Sequence, residues 1–147
     1  MFCFKNSNLT TEDNLQFRFA TDGEGNYGYL KADDSFVPFK RDGNFRMYGR
    51  LCGPNYNGSG AEGRIFVDVS NISKMFITNI TRSGGHNWGA YGYYPDGTEE
   101  KFITNADGNI TNKEYDVSKY SELKIYSVGS TSGSQSWNWI DYDVSFS

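Results

Sequence analysis

The sequence is short of helix formers and of the residues that build metal or covalent frameworks. Ala and Leu occur only five times each in 147 residues. They are among the strongest helix formers, so the composition argues against a helical bundle, a coiled coil and a doubly wound α/β domain. The single histidine is His86, and Cys3 and Cys52 are the only cysteines. One histidine rules out an HExxH zinc site and a structural zinc site of two Cys and two His. Two cysteines so far apart give neither a disulfide framework nor a zinc spacing, and read as free thiols or one incidental bridge. Apolar runs are short, far below the ~20 residues of a membrane-spanning helix, so membrane insertion is not expected. Met1-Phe2-Cys3-Phe4-Lys5 lacks a basic region followed by an apolar core and does not read as a signal peptide. The 14 Lys and Arg are scattered among 18 Asp and Glu, for a net charge of −4. Nucleic acid needs clustered cations against phosphates and is not an expected partner.

Catalytic signatures are missing too. There is no Gly-x-Ser-x-Gly elbow or Walker loop. Gly129-Ser130-Thr131-Ser132-Gly133 is a polar loop, and Asp22-Gly23-Glu24-Gly25-Asn26 lacks the glycine and distal Glu of an EF-hand. Asp107-Gly108-Asn109 and Asp141-Tyr142-Asp143 read as turn and strand-face carboxylates. A glycosidase needs two carboxylates across a cleft, and the sequence alone places none there. The expectation is a protein without catalytic residues, metal or cofactor. Five Asn-x-Ser/Thr sequons, at Asn8, Asn57, Asn71, Asn79 and Asn109, follow from the Asn- and Ser/Thr-rich composition.

What is abundant is glycine, at 17 residues, and aromatic side chains, at 17%. Tyr, Phe, Trp and Thr fit strands, and Gly, Asn and Ser fit turns. Together they predict an all-β antiparallel β-sandwich, jelly-roll-like, with a short N-terminal β-hairpin segment. Residues 1–52 form that segment. It includes the alternating Leu15-Gln16-Phe17-Arg18-Phe19, the short strand Tyr27-Gly28-Tyr29-Leu30 and the strand Phe36-Val37-Pro38-Phe39. Residues 53–63 are a Gly- and Asn-rich loop and the candidate hinge, although the chain can equally be one continuous domain. Residues 64–147 form the sandwich. Its strands are expected at 65–69, 75–80, 90–94, 99–103, 123–128 and 139–146. Asp96-Gly97 between two β-rich runs is a hairpin signal, with both central residues able to take positive φ. In the last strand Ile140, Tyr142, Val144 and Phe146 face one way, and Trp139, Asp141, Asp143 and Ser145 the other.

The chain repeats itself once. Asp68-Val69-Ser70-Asn71-Ile72-Ser73-Lys74-Met75-Phe76-Ile77 matches Asp116-Val117-Ser118-Lys119-Tyr120-Ser121-Glu122-Leu123-Lys124-Ile125. The shared form predicts a strand end, a tight turn whose Ser side chains satisfy exposed backbone donors, and a new strand. Ile72 and Tyr120 would plug the end of the sandwich. Two copies predict pseudo-symmetric crossings between the sheets.

The aromatic residues supply the candidate binding site. Asn87, Trp88, Tyr91 and Tyr93 lie in one Gly-rich run, and Trp137, Asn138 and Trp139 follow the loop 130–136. Exposed rings beside Asn suit a sugar, whose C–H face stacks while polar groups bind its hydroxyls. Exposed Trp also suits a protein partner. The same rings can instead fill the core or a subunit contact, because Leu is scarce.

Asp22-Gly-Glu-Gly-Asn-Tyr-Gly-Tyr-Leu-Lys-Ala-Asp-Asp-Ser-Phe-Val-Pro-Phe39 resembles the "G-x-Y-G-Y … G-A-D-T/S-F-x-P-F" segment of tail and other structural proteins of phages and prophages of gut Firmicutes. Asp116-Val-Ser-Lys-Tyr and Asp141-Tyr-Asp-Val-Ser-Phe146 are similar to the β-sandwich portion that follows it there. Asp33-Asp34 departs from the usual Gly-Ala-Asp. The resemblance implies a non-catalytic virion structural or attachment protein, tail-associated, receptor-binding or decorating. It implies a homo-oligomer located in the virion and extracellular on release, with a host-surface glycan or protein as partner. The alternative is a carbohydrate-binding module of a secreted or phage-borne protein.

Overall fold

Alternation of apolar and polar residues sets the layers of this protein. The computed structural model describes residues 9–11, 26–27, 29–30, 36–37, 43–53, 62–82, 87–128 and 138–147. Four short strands come first: β1 (Leu9–Thr11), β2 (Asn26–Tyr27), β3 (Tyr29–Leu30) and β4 (Phe36–Val37). Eight longer ones follow: β5 (Phe45–Gly53), β6 (Glu62–Asp68), β7 (Lys74–Arg82), β8 (Trp88–Tyr93), β9 (Glu99–Ile103), β10 (Ile110–Asp116), β11 (Glu122–Val128) and β12 (Asn138–Phe146). A 3-10 turn, Asn105–Asp107, joins β9 to β10.

The eight longer strands pair in nested order. β5 pairs with β12, β6 with β11, β7 with β10 and β8 with β9, all antiparallel. This ribbon is wound so that β12 also borders β7 and β11 borders β8. The result is a jelly roll of two layers, β5-β12-β7-β10 (sheet A) and β6-β11-β8-β9 (sheet B). β1 extends sheet A beside β5, β2 extends sheet B in parallel beside β6, and β3 and β4 form a separate hairpin. The expected all-β sandwich and N-terminal hairpin are therefore present. Tyr27 and Tyr29, read as one strand in the sequence, are divided between sheet B and the hairpin. The alternating run 15–19 lies outside the described residues.

The core lies between the two layers. Ile65, Val67 and Leu123 from sheet B and Ile77, Ile140 and Val144 from sheet A are almost wholly buried. β12 buries Ile140, Tyr142, Val144 and Phe146, as its alternation requires. Two of the longer strands have no counterpart among those read from the sequence. β5 carries Phe45, Met47 and Leu51 inward, but Gly49 interrupts that apolar row. Residues 45–52, grouped by sequence with the N-terminal segment, thus run along β12 within the sandwich. β10 is the edge of sheet A, and of its seven residues only Ile110 is buried and Tyr115 half-buried. A strand exposed in this way carries no hydrophobic alternation to read. Opposite the β7 bulge near Thr78, Asn112 takes φ 51°, a left-handed value that Asn tolerates.

The sequence repeat builds two sheet crossings at one end of the sandwich: β6 to β7 and β10 to β11. Val69 and Val117 are fully buried, and Ile72 and Tyr120 plug the end as expected. The two crossings bond to each other reciprocally. Val69 N–H donates to the Ser121 carbonyl (3.0 Å), and Val117 N–H donates to the Ser73 carbonyl (2.9 Å). Registers match as well: Asp68 is opposite Glu122 in one pair and Asp116 opposite Lys74 in the other. The side-chain roles differ from the sequence expectation. Aspartate, not serine, is the acceptor that closes each turn. Ser70 N–H and hydroxyl donate to Asp68 Oδ1 (2.9 and 2.6 Å), and Ser118 donates likewise to Asp116 Oδ1 (3.0 and 2.6 Å). A carboxylate accepts from both groups at once, which a hydroxyl cannot do as well.

The β8–β9 hairpin is where Asp96-Gly97 predicts it, with a different turn. Gly97 N–H donates to the Tyr94 carbonyl (2.8 Å) and Gly97 alone takes positive φ, +87°. Pro95 suits the second position of a type I turn, and the left-handed glycine after it gives a bulged three-residue loop.

Candidate functional site

Of the seven residues singled out from the sequence, the five whose side chains are described do not converge on one surface. Alternation along β8 puts Trp88 inside, fully buried, and Tyr91 and Tyr93 outside on sheet B, half-buried. Trp88 packs in the core of this fold, the alternative the sequence left open for these rings. Trp139 is half-buried on the outer face of sheet A. Asn87 is exposed at the end of the sandwich opposite the crossings, where its carbonyl accepts from Val128 N–H (2.9 Å). Trp137 and the side chain of Asn138 lie outside the described residues, as do His86, Cys3, the Cys52 side chain and the loop 129–133.

On sheet A, the strand-face carboxylates of β12 hold the arginines of β5. Arg50, directly opposite Asp141, donates two hydrogen bonds to it (2.6 and 2.8 Å). Arg46 does the same to Asp143 (2.8 Å each). Each guanidinium also covers a ring: Arg50 sits 4.6 Å from the Trp139 ring centre and Arg46 4.6 Å from that of Tyr48. A bidentate clamp fixes the plane of the arginine, so the clamped Arg50 in turn fixes the indole beneath it. Trp139 has its ring against the Arg50 guanidinium on the outer face of sheet A. Asp141 and Asp143 are thus strand-face carboxylates in ion pairs, as the sequence indicates.

On sheet B, the cross-strand register places Lys124, Tyr91 and Lys101 in one row over β11, β8 and β9. The Lys124 ammonium lies 4.6 Å from the Tyr91 ring centre and the Lys101 ammonium 5.6 Å. Tyr126, buried beside them, packs against Tyr91 at 5.6 Å between centres. The lysines and arginines of both faces escape sequence reasoning because their roles depend on strand register. The one available signal is the spacing: Arg46 and Arg50 bracket Tyr48 as Asp143 and Asp141 alternate on β12.

At the crossing end, one carboxylate gathers three donors. Glu100 Oε2 accepts from the hydroxyls of Tyr94 and Tyr120 (3.0 Å for Tyr120) and pairs with Lys119 Nζ (3.2 Å). The Tyr94 hydroxyl first, then Lys119 and Tyr120, hold Glu100 below the usual carboxylate range. Its bond to Glu100 pushes Lys119 up to about 12. The rings continue from Tyr94 through Tyr120 and Phe102 to Tyr115, with centres 5.3–5.6 Å apart. They close the side of the sandwich between β9 and β10. Among the described residues, no group of three His, Cys, Asp or Glu side chains is placed to hold a metal ion. No helix among them is long and apolar enough to cross a membrane.

No protein-family model matches this chain, and no curated protein matches it.

Proposed function

We propose that this chain is a non-catalytic structural or attachment component of a phage virion, holding a host-surface glycan or protein without reacting with it. The observation that carries this reading is the Trp139 platform. A half-exposed indole is fixed by Arg50, which Asp141 clamps from the same face. A rigid ring loses little entropy on binding and offers a large contact area. The two-layer sandwich beneath it is a stiff support. The phage setting rests on the likeness of residues 22–39 and of the closing segment to phage structural proteins, and a homo-oligomer in the virion follows from it.

A carbohydrate-binding module outside a virion is the second reading, favoured by the same platform because indole stacks on sugar rings. The test is Trp139→Ala. Binding to whole host cells is expected to fall at least tenfold, while the thermal transition remains cooperative. Retention on a glycan array by purified sugars favours the module; binding to cells but to no purified sugar favours a protein receptor. Unchanged cell binding by Trp139→Ala overturns the assignment of the platform.

A further inference from the structure

The outer face of sheet B segregates its charges in a way that the outer face of sheet A does not. On sheet A, Arg50 stands directly opposite Asp141, so charge is neutralised across the strands. On sheet B the same register gives rows of one sign. Lys124 and Lys101 flank Tyr91 across β11, β8 and β9. Two residues along, Glu122 and Glu99 flank Tyr93 across the same three strands. Asp68, opposite Glu122 on β6, adds a further carboxylate to the acidic row. Glu99 and Lys101 are exposed, and the other five members are half-buried. The rows are about 7 Å apart, two residues of strand. That is within the ~8 Å screening length at physiological salt. Asp68 and Glu122, directly opposite each other, are an unfavourable pair in a lone sheet.

We infer that this face is the contact between two copies of the chain. The pattern is self-complementary. A twofold axis lying in the interface, parallel to the rows and midway between them, turns the second copy over. Its glutamate row then lies on the lysine row of the first, and the reverse. Tyr91 meets the partner's Tyr93, and β8 crosses over its own counterpart. Such an isologous contact needs each patch to match itself under rotation, and Lys-Tyr-Lys beside Glu-Tyr-Glu does so. Tyrosine at the centre with charges around it is also the usual arrangement of a protein contact. A polyanion on the lysine row is the competing occupant, but it leaves the acidic row unexplained and faces its repulsion. This contact is separate from the Trp139 platform, which lies on the other sheet, so either can fail alone.

The test is molar mass in solution by light scattering, with paired charge reversals. The wild-type chain is expected to dimerise as its concentration rises, and to dissociate in high salt. Lys101→Glu with Lys124→Glu leaves two acidic rows and is expected to be a monomer. Glu99→Lys with Glu122→Lys leaves two basic rows and is also expected to be a monomer. An equal mixture of the two variants is expected to restore the dimer. A wild type that stays monomeric, a dimer retained by both variants, or a mixture that does not associate overturns the inference. So does a monomeric wild type that binds polygalacturonate or poly(glycerol phosphate), the carboxylate and phosphodiester forms of the polyanion. If either double variant fails to melt cooperatively, the single changes Lys101→Glu and Glu99→Lys on the exposed edge strand are mixed instead, with the same reading.

Discussion

Gly92 shows how one missing side chain fixes the crossing end. A Cβ on Gly92 would lie 2.4 Å from the Tyr120 ring, which rests against the bare backbone of β8. Gly92→Ala should therefore overpack the site and cost about 1–3 kcal/mol, read as a lower melting temperature. In a Tyr120→Leu background the same change should cost much less; an equal cost in both would show that the ring is not the obstacle. Tyr120 also reaches Glu100, and this sets a pH dependence. Glu100 is held below its ordinary value, so its contribution is present above the unfolded pKa of ~4.3 and disappears as pH falls through the lowered value. Melting temperatures of the wild type and Glu100→Gln should differ at pH 7 and converge on acidification. A gap that stays constant down to pH 2 would remove the carboxylate from the account. The Arg-Asp clamps of sheet A are residue-scale features that the sequence marks only by matching i, i+4 and i, i+2 spacings, because Arg50 and Asp141 meet only through the β5–β12 register.

The two crossings were the most legible elements in the sequence. Their ten-residue match predicts equivalent structures, and equivalence extends to burial, register and reciprocal backbone bonds. Val69 and Val117 occupy the same place in each. Val69→Ala and Val117→Ala should each cost about 1.5–3 kcal/mol, and the two values should agree within about 0.5 kcal/mol; denaturant unfolding measures both. A large inequality would mean that the symmetry of the backbone does not extend to energetics. β12 was legible because one face is dry and the other wet. β10 was not, because an edge strand with one buried residue leaves no period to detect. β5 was hidden by Gly49, which interrupts its inward apolar row, and its partner strand lies about ninety positions further along. The type of turn at Asp96-Gly97 was also illegible, since Asp-Gly serves both the two-residue loop and the bulged one, and Pro95 decided for the latter. Of the proposed ring site, sequence could supply the rings but not their faces. Trp88 and Tyr91 are three positions apart and point to opposite sides of sheet B.

At the scale of the whole molecule, nested pairing makes most contacts long-range. Two-layer β proteins of this kind fold on millisecond to second timescales, because loop closure precedes any gain from pairing. Stopped-flow refolding should fall in that range, and a microsecond phase that recovers full native signal would contradict it. The nested order has one more consequence. Among β5–β12, every strand pair joins one of the first four strands to one of the last four. A chain severed between Asp96 and Gly97 would thus yield two fragments with no pairing inside either set of four, and the eight longer strands would find one another only across the cut. The fragments should be largely unstructured apart and reassemble when mixed, which makes that exposed turn a natural place to split the protein into a two-piece reporter.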